Sequence, residues 1–259
     1  MGKPCVGFES LEAKRIVERL NIISGGKVLD VGTEKGEFIN TLIQTLKTYD
    51  SFIAIDISNK YFKDAKKRFK KQSVPIDFME MNAEALDFKD DSFDTVCISY
   101  TIHHLKNVDK VLNEMKRVLK PNGHFMIQEM VCDGEQTEAQ KTDIIVHHWG
   151  AKIDTFQGIP HKETLLKQNL HNLVVNLGLK EVEAFDSPHP LACLFCDERF
   201  ECDERTHIDS TIKEIEENLN HVKDHPEFEI FKKESETLKK RVEDVGTSPA
   251  SQMFFIGRK

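Results

Sequence analysis

Five short apolar runs, each ending in turn residues, alternate with helical stretches through the first half of the chain, and that rhythm restricts it to parallel-sheet α/β architecture. Strands are predicted at 28–31, 52–56, 76–79, 95–99 and 124–128. Helices are predicted at 36–47, 59–71 and 107–120 between them, with one at 11–20 ahead of the first strand. The helix at 107–120 closes on Pro121-Asn122-Gly123, a helix stop and turn.

Beyond the fifth strand the rhythm changes. Residues 135–177 read as two consecutive helices parted at Gly158-Ile159-Pro160. The second carries Leu166, Leu170, Leu173 and Leu177 on one face and stops at Gly178. Strands are predicted at 179–185 and 252–256. The connection between them is too long for a hairpin turn and holds two apolar stripes, Ile208-Ile212-Ile215-Leu219-Val222 and Phe231-Ser235-Leu238-Val242-Val245, separated at Asp224-His225-Pro226. The expected architecture is a Rossmann-like α/β fold in one domain over 1–259. A helical cap is inserted at about 131–177 and a helical hairpin at about 187–249, the hairpin proper spanning 205–246. Its stripes must bury against each other, against the main domain, or against a second copy of the chain, which makes a homodimer a candidate partner.

At 259 residues, 39% of them hydrophobic, the chain can bury a full core without disulfides. Lys and Arg number 36 against 44 Asp and Glu, for a formal charge of −8, which opposes nucleic-acid binding. No apolar run approaches the ~18 residues of a membrane span, and Met1-Gly2-Lys3-Pro4-Cys5 begins no apolar leader, so a soluble, cytoplasmic protein with no membrane partner is expected. Cys5, Cys97, Cys132, Cys193, Cys196 and Cys202 are then free thiols or metal ligands rather than disulfides.

The chemistry begins where the first strand runs into Asp30-Val31-Gly32-Thr33-Glu34-Lys35-Gly36-Glu37 and then a helix. Gly32 and Gly36 let a ligand approach the main chain at the carboxyl edge of the sheet, and the following helix offers free N–H groups. Twenty residues beyond Gly36 the second strand ends in Asp56, placed to accept hydrogen bonds from a ribose diol. A nucleoside-bearing ligand is expected.

Three further segments follow: Met81-Asn82-Ala83-Glu84-Ala85-Leu86-Asp87 with Phe93-Asp94, Ser99-Tyr100-Thr101-Ile102-His103-His104-Leu105, and Leu119-Lys120-Pro121-Asn122-Gly123. In this order and spacing, with the first turn and Asp56, they resemble the class I S-adenosylmethionine-dependent methyltransferases, in particular the small-molecule group that includes the ubiquinone and menaquinone methyltransferases. The resemblance covers residues about 25 to 130. It implies a seven-stranded, mostly parallel sheet with helices on both faces and the seventh strand antiparallel, with S-adenosylmethionine as cofactor and in-line methyl transfer to a small-molecule acceptor. By the same resemblance, Asp30 and Gly32 hold the methionine end of the cofactor and Asp56 the ribose. Ile57 packs on adenine, Asn82 and Ala83 sit by its amine, and Ser99 lies near the sulfonium. Two residues depart from the family: Glu34 stands where a third glycine is usual, and Asn82 where Asp is usual.

An acceptor hydroxyl would need a base. Candidates are His103, His104, Glu129, His147, His148 and His161, of which His104 and His148 are the two assigned here, with Trp149 as an aromatic wall. No Asn/Asp-Pro-Pro-Tyr or Pro-Cys follows the fourth strand, which argues against a nucleic-acid base as acceptor. Cys193, Cys196, Cys202 and His207 have the count of a zinc site without its loop glycines, and Glu129, His148 and His161 lack an i,i+4 His pair, so no metal is expected. Two rival readings remain: a partner-binding protein that kept this fold and uses its hairpin, and a NAD-dependent dehydrogenase, which would need Gly-x-Gly-x-x-Gly where the chain has Gly32-x-x-x-Gly36.

Overall fold

A computed structural model describes residues 10–195 and 204–259. Seven strands, β1 (Lys27–Val31), β2 (Ser51–Asp56), β3 (Ile76–Glu80), β4 (Phe93–Ser99), β5 (Leu119–Met130), β6 (Lys180–Ser187) and β7 (Gln252–Arg258), form one sheet in the order β3-β2-β1-β4-β5-β7-β6. Strands β1 to β5 pair in parallel, whereas β7 runs antiparallel to both β5 and β6. The order reverses between β1 and β4. The connections leaving those two strands therefore diverge to opposite faces, and a crevice opens at the carboxyl edge between them.

Alternation along the strands builds a core on each face. Leu29, Val31, Val96, Ile98 and Ile127 pack with α4 (Val108–Val118) and α6 (Lys167–Asn176) through Leu112, Met115, Leu170 and Val174. Val28, Cys97, Met126 and Phe254 face the other way, onto α1 (Leu11–Leu20) and α2 (Glu37–Thr45) through Ile16, Leu20, Ile39 and Leu42. Ser10 starts α1 by accepting the Ala13 N–H. Between β2 and β3 lies α3 (Phe62–Arg68), shorter than the predicted 59–71.

The fourth predicted helix ends earlier than its Pro-Asn-Gly stop. At Val118 the chain enters β5, Leu119 pairs with Phe93, and the pairing then shifts to His124 on Thr95. The shift is accommodated at Asn122, which takes a left-handed φ of 62°, so Pro121-Asn122-Gly123 is an irregularity inside a strand rather than a turn before one.

A long helix, α5 (Glu138–Phe156), begins with a reciprocal capping box between Thr137 and Gln140. The hairpin forms as α7 (Glu204–His221) and α8 (Phe228–Val245). Its stripes meet α5 of the same chain: Val146, Trp149 and Ile153 close a core with Ile208, Ile215, Val222, Phe231, Leu238 and Val242. The apolar surface that motivated a second copy of the chain is thus covered within the chain. Trp149 is correspondingly 6% exposed in this helical core, with its Nε1 donating to Glu234, and does not wall an acceptor pocket. No described helix is long and apolar enough to cross a membrane.

Candidate functional site

The crevice between β1 and β4 holds a cavity of about 520 Å³, a size that suits a cofactor or drug-sized ligand. Gly32, Glu34, Asp56, Ile57, Asn82 and Ala83 line one side, and Tyr100, Thr101, His104 and Leu105 another, with Ile159 and Pro160 reaching in from the α5–α6 connection. Five of the eight predicted cofactor residues therefore share one enclosure. Asp30, Gly36 and Ser99 lie outside its lining.

Each wall is positioned by its backbone. Gly32 has φ 72°, and a Cβ there would stand 2.4 Å from the Thr101 side chain, so no larger residue fits between the β1 and β4 loops. The Gly36 constraint is of another kind. At φ 75° it opens α2, and a Cβ would come within 2.6 Å of the Phe69 ring, so this glycine serves packing rather than ligand approach.

Glu34 occupies the left-handed region at φ 45°, the conformation a glycine would take without strain. Its N–H donates to Asp56 Oδ2 at 3.0 Å while Ser58 N–H donates to Oδ1 at 3.1 Å. The Glu34 side chain lies on the cavity rim with its carboxylate 3.5 Å from Lys35 Nζ. Asn82 uses one lone pair of Oδ1 on the Glu84 N–H at 2.9 Å, an Asx turn that leaves the second lone pair and the amide N–H groups for a ligand. Ile57 is 69% exposed, a large apolar side chain standing open at the rim.

Asp30 is buried directly behind the loop. Its Oδ1 receives the Cys97 thiol at 3.5 Å, while its Oδ2 has no hydrogen-bond partner among the described residues. Burial, with the nearby Asp56 charge, pushes its pKa up to about 6.

Residues 29–127 match the methyltransferase domain family. The ubiquinone/menaquinone biosynthesis C-methyltransferase UbiE of Bartonella bacilliformis is 32% identical over 149 residues, 57% of this chain and 54% of the relative, and the chain matches about half the length of such curated relatives. Among solved structures, the [4+2]-cyclase SpnF aligns with TM-score 0.57 at 17% identity, covering 95% of this chain and 79% of that one. Haemonchus contortus phosphoethanolamine N-methyltransferase 2, in complex with phosphomonomethylethanolamine and S-adenosylhomocysteine, aligns with TM-score 0.54 at 16% identity, covering 96% and 52%. Over residues 29–127 the chain is thus similar to methyltransferase domains.

The residues of this cavity fit S-adenosylmethionine, the cofactor that the resemblance implies. A buried carboxylate oxygen without a partner suits the cofactor's ammonium group, the Asp56 carboxylate is already oriented by two main-chain donors, and Ile57 offers an uncovered apolar face to a purine.

The predicted bases are less alike than their sequence context implies. Only His104 lines the cavity, its ring packed in tilted contact with His103 at 4.2 Å and His161 at 4.1 Å between centroids. Burial, then the neighbouring His103 and His161, push its pKa down to about 3. His148 points elsewhere: its Nε2 accepts the Thr164 N–H at 3.2 Å and lies 2.8 Å from the Thr164 hydroxyl, which fastens the connection to α5 and leaves the cavity without it.

Glu129 is fully buried and accepts from Ile102 N–H, Met130 N–H and His103 Nδ1, so it orients His103 rather than standing free as a base. His147 and His161 meet through their Nε2 atoms at 3.1 Å, and His161 Nδ1 is held by Asp154 at 2.7 Å. Burial, followed by the surrounding histidines, holds His147 down at about 2. Of the cysteines weighed as zinc ligands, Cys196 and Cys202 and the side chain of Cys193 lie outside the described residues.

Tyr100 and Thr101 were not among the predicted site residues, yet both form the wall. Tyr100 takes a left-handed φ of 47°, and its hydroxyl bonds Gln252 and accepts from Gln128 Nε2 at 3.0 Å, so it ties the site to β5 and β7. The usable signal was position: both residues immediately follow a central strand at the point where the sheet order reverses.

Proposed function

We propose that this protein transfers a methyl group from S-adenosylmethionine to a small-molecule acceptor by in-line displacement. The single observation that supports the reading most is that Asp56, Ile57 and Asn82 share one cavity with Tyr100, His104 and Pro160. The first group matches the cofactor contacts that the family resemblance implies. The second supplies a wall beside it where an acceptor can be held.

Bound S-adenosylmethionine supplies an electrophilic methyl group on a good leaving group, so positioning carries most of the acceleration. Asp56 accepts from the ribose hydroxyls, Asp30 with the Gly32 main chain takes the methionine end, and Asn82 and Ala83 read the adenine amine. Ile159 and Pro160 exclude water from above. Ser99 supports the wall from behind, since its carbonyl accepts the Thr101 hydroxyl at 2.7 Å.

His104, held neutral, orients an acceptor by hydrogen bonding. A histidine whose pKa is about 3 is a weak base for a hydroxyl, which favours acceptors that arrive as nucleophiles, such as thiolates or amines. The −8 net charge supports a small molecule over a nucleic acid.

Calorimetric titration with S-adenosylhomocysteine and with NAD tests the cofactor half. Saturable binding of the first and none of the second is expected, and the reverse overturns the reading. Mass-spectrometric detection of methylated products, with S-adenosylmethionine and a panel of thiols, amines and phenols, tests the transfer.

A further inference from the structure

We infer that His103, His147 and His161 form a binding site for one divalent transition metal ion of the zinc class, held beside the cofactor cavity. The inference goes beyond methyl transfer and does not depend on it. Three segments supply the ligands: the connection after β4, the middle of α5, and the α5–α6 connection. One ligand atom from each histidine lies within 4.8 Å of the other two, and His147 Nε2 is 3.1 Å from His161 Nε2. In a tetrahedral zinc site, with zinc–nitrogen bonds of ~2.0–2.1 Å, neighbouring nitrogens stand about 3.3 Å apart, so the His147–His161 pair is already at that spacing and His103, within 4.8 Å of both, closes in by up to about 1.5 Å.

Proximity alone would leave a second account open, in which His147 simply donates an Nε2–H to His161. What points to a metal is the arrangement behind the rings. His103 Nδ1 lies 3.0 Å from Glu129 and His161 Nδ1 lies 2.7 Å from Asp154. Each carboxylate holds the proton on Nδ1 and turns that ring's Nε2 lone pair away from the carboxylate. This is the carboxylate–histidine–metal relation that fixes the tautomer and raises ligand basicity.

Glu129 is itself rigid, accepting from two main-chain N–H groups while fully buried. Neutral imidazoles with a free Nε2 are the form a zinc-class ion takes. His103 also lines a second cavity of about 310 Å³, bordered by Val108, Lys162 and Leu165, whereas His147 and His161 do not line it.

The ion would join the cap to the sheet edge. His161 follows Ile159 and Pro160, which line the cofactor cavity, and Lys162 N–H already donates to the His103 carbonyl at 2.8 Å. A bond from His103 through the metal to His161 and to His147 on α5 would fasten that wall in place. His104, in tilted ring contact with both His103 and His161, would transmit the constraint to the cavity.

The test uses the full chain, stripped with a chelator and titrated with zinc by calorimetry, with metal content measured by elemental mass spectrometry. One zinc per chain is expected. Cobalt substituted for zinc should give d–d absorption without a sulfur-to-metal charge-transfer band. His161→Gln should abolish tight binding, and Asp154→Asn, which keeps all three ligands, should weaken it by about 10–100-fold while the metal-free circular dichroism stays unchanged. His148→Gln and Cys196→Ser should leave zinc affinity as it was. Absence of saturable binding overturns the inference. So does affinity unchanged in both His161→Gln and Asp154→Asn, or a thiolate band that disappears with Cys196→Ser. If His161→Gln fails to fold, Asp154→Asn and His147→Gln decide alone. S-adenosylhomocysteine titration of the metal-free protein reports on the cofactor half separately, so failure of one reading is distinguishable from failure of the other.

Discussion

The main-chain N–H of Glu34, in a left-handed conformation at φ 45°, donates to Asp56 Oδ2 at 3.0 Å and joins the loop after β1 to the end of β2. One carboxylate thus organises the loop and remains available at the cavity wall. Asp56→Ala should weaken S-adenosylhomocysteine binding by about 1.5–3 kcal/mol, because charge-assisted hydrogen bonds are lost and the loop loses its anchor. Calorimetry on the folded variant checks this, and an unchanged affinity would remove Asp56 from the site.

Glu34→Gly should stabilise the fold by up to about 1 kcal/mol, the left-handed strain of an L-residue less the added chain entropy of glycine. Cofactor affinity should be equal or better, since a carboxylate on the cavity rim is removed. Urea denaturation and calorimetry measure the two effects. A fall in affinity beyond about tenfold, roughly 1.4 kcal/mol, would instead make Glu34 a ligand of the cofactor's amino group.

Stability should fall as the medium is acidified below pH 6.5. Burial, aided by Arg258 and Arg19, pushes His124 down to about 4, and burial holds His147 at about 2. In the window between those values and the ordinary histidine pKa of ~6.5 the unfolded chain binds protons the native state does not, at up to about 1.4 kcal/mol per pH unit per group. Asp30 and Asp143, raised to about 6 by burial, act oppositely: the native state holds their protons as pH falls from about 6 toward the ordinary carboxylate value, which partly offsets the loss. The Nε2 of His124 is buried without a hydrogen-bond partner among the described residues, so His124→Gln should flatten the urea-midpoint profile between pH 7.5 and 5. An unaltered slope would assign the pH dependence elsewhere.

Phe231→Ala should destabilise the α5–α7–α8 core by about 3–5 kcal/mol, since the ring is fully buried against Trp149 and Ile153. Trp149 fluorescence should shift to the red at lower urea than in the parent. Light scattering on the parent is expected to report a monomer, because the hairpin stripes are covered by α5. A stable dimer would mean that another surface mediates it.

Much of the architecture is determined locally. Apolar runs of strand length ending at Val31, Asp56 and Ser99 alternate with helical periodicity, and a right-handed crossover to a parallel strand leaves few ways to connect them. Asp56 and Asn82 were legible because each ends or follows a strand at the carboxyl edge, where ligands bind. Pro121-Asn122-Gly123 misled because its turn propensity does not reveal whether the turn ends a helix or interrupts a strand; pairing of Leu119 with Phe93 decides that.

The sequence by itself determined the sheet, the cavity-lining places of Gly32, Asp56 and Asn82 and the existence of the two late apolar stripes, because period and turn chemistry are properties of neighbouring residues. Tertiary structure alone decided what those stripes cover, which of two adjacent histidines faces which neighbour, and that Trp149 turns into a helical core. It also decided that His103, His147 and His161 converge with Glu129 and Asp154 behind two of the rings. Such convergence depends on how distant segments cross in space. No spacing along the chain encodes it.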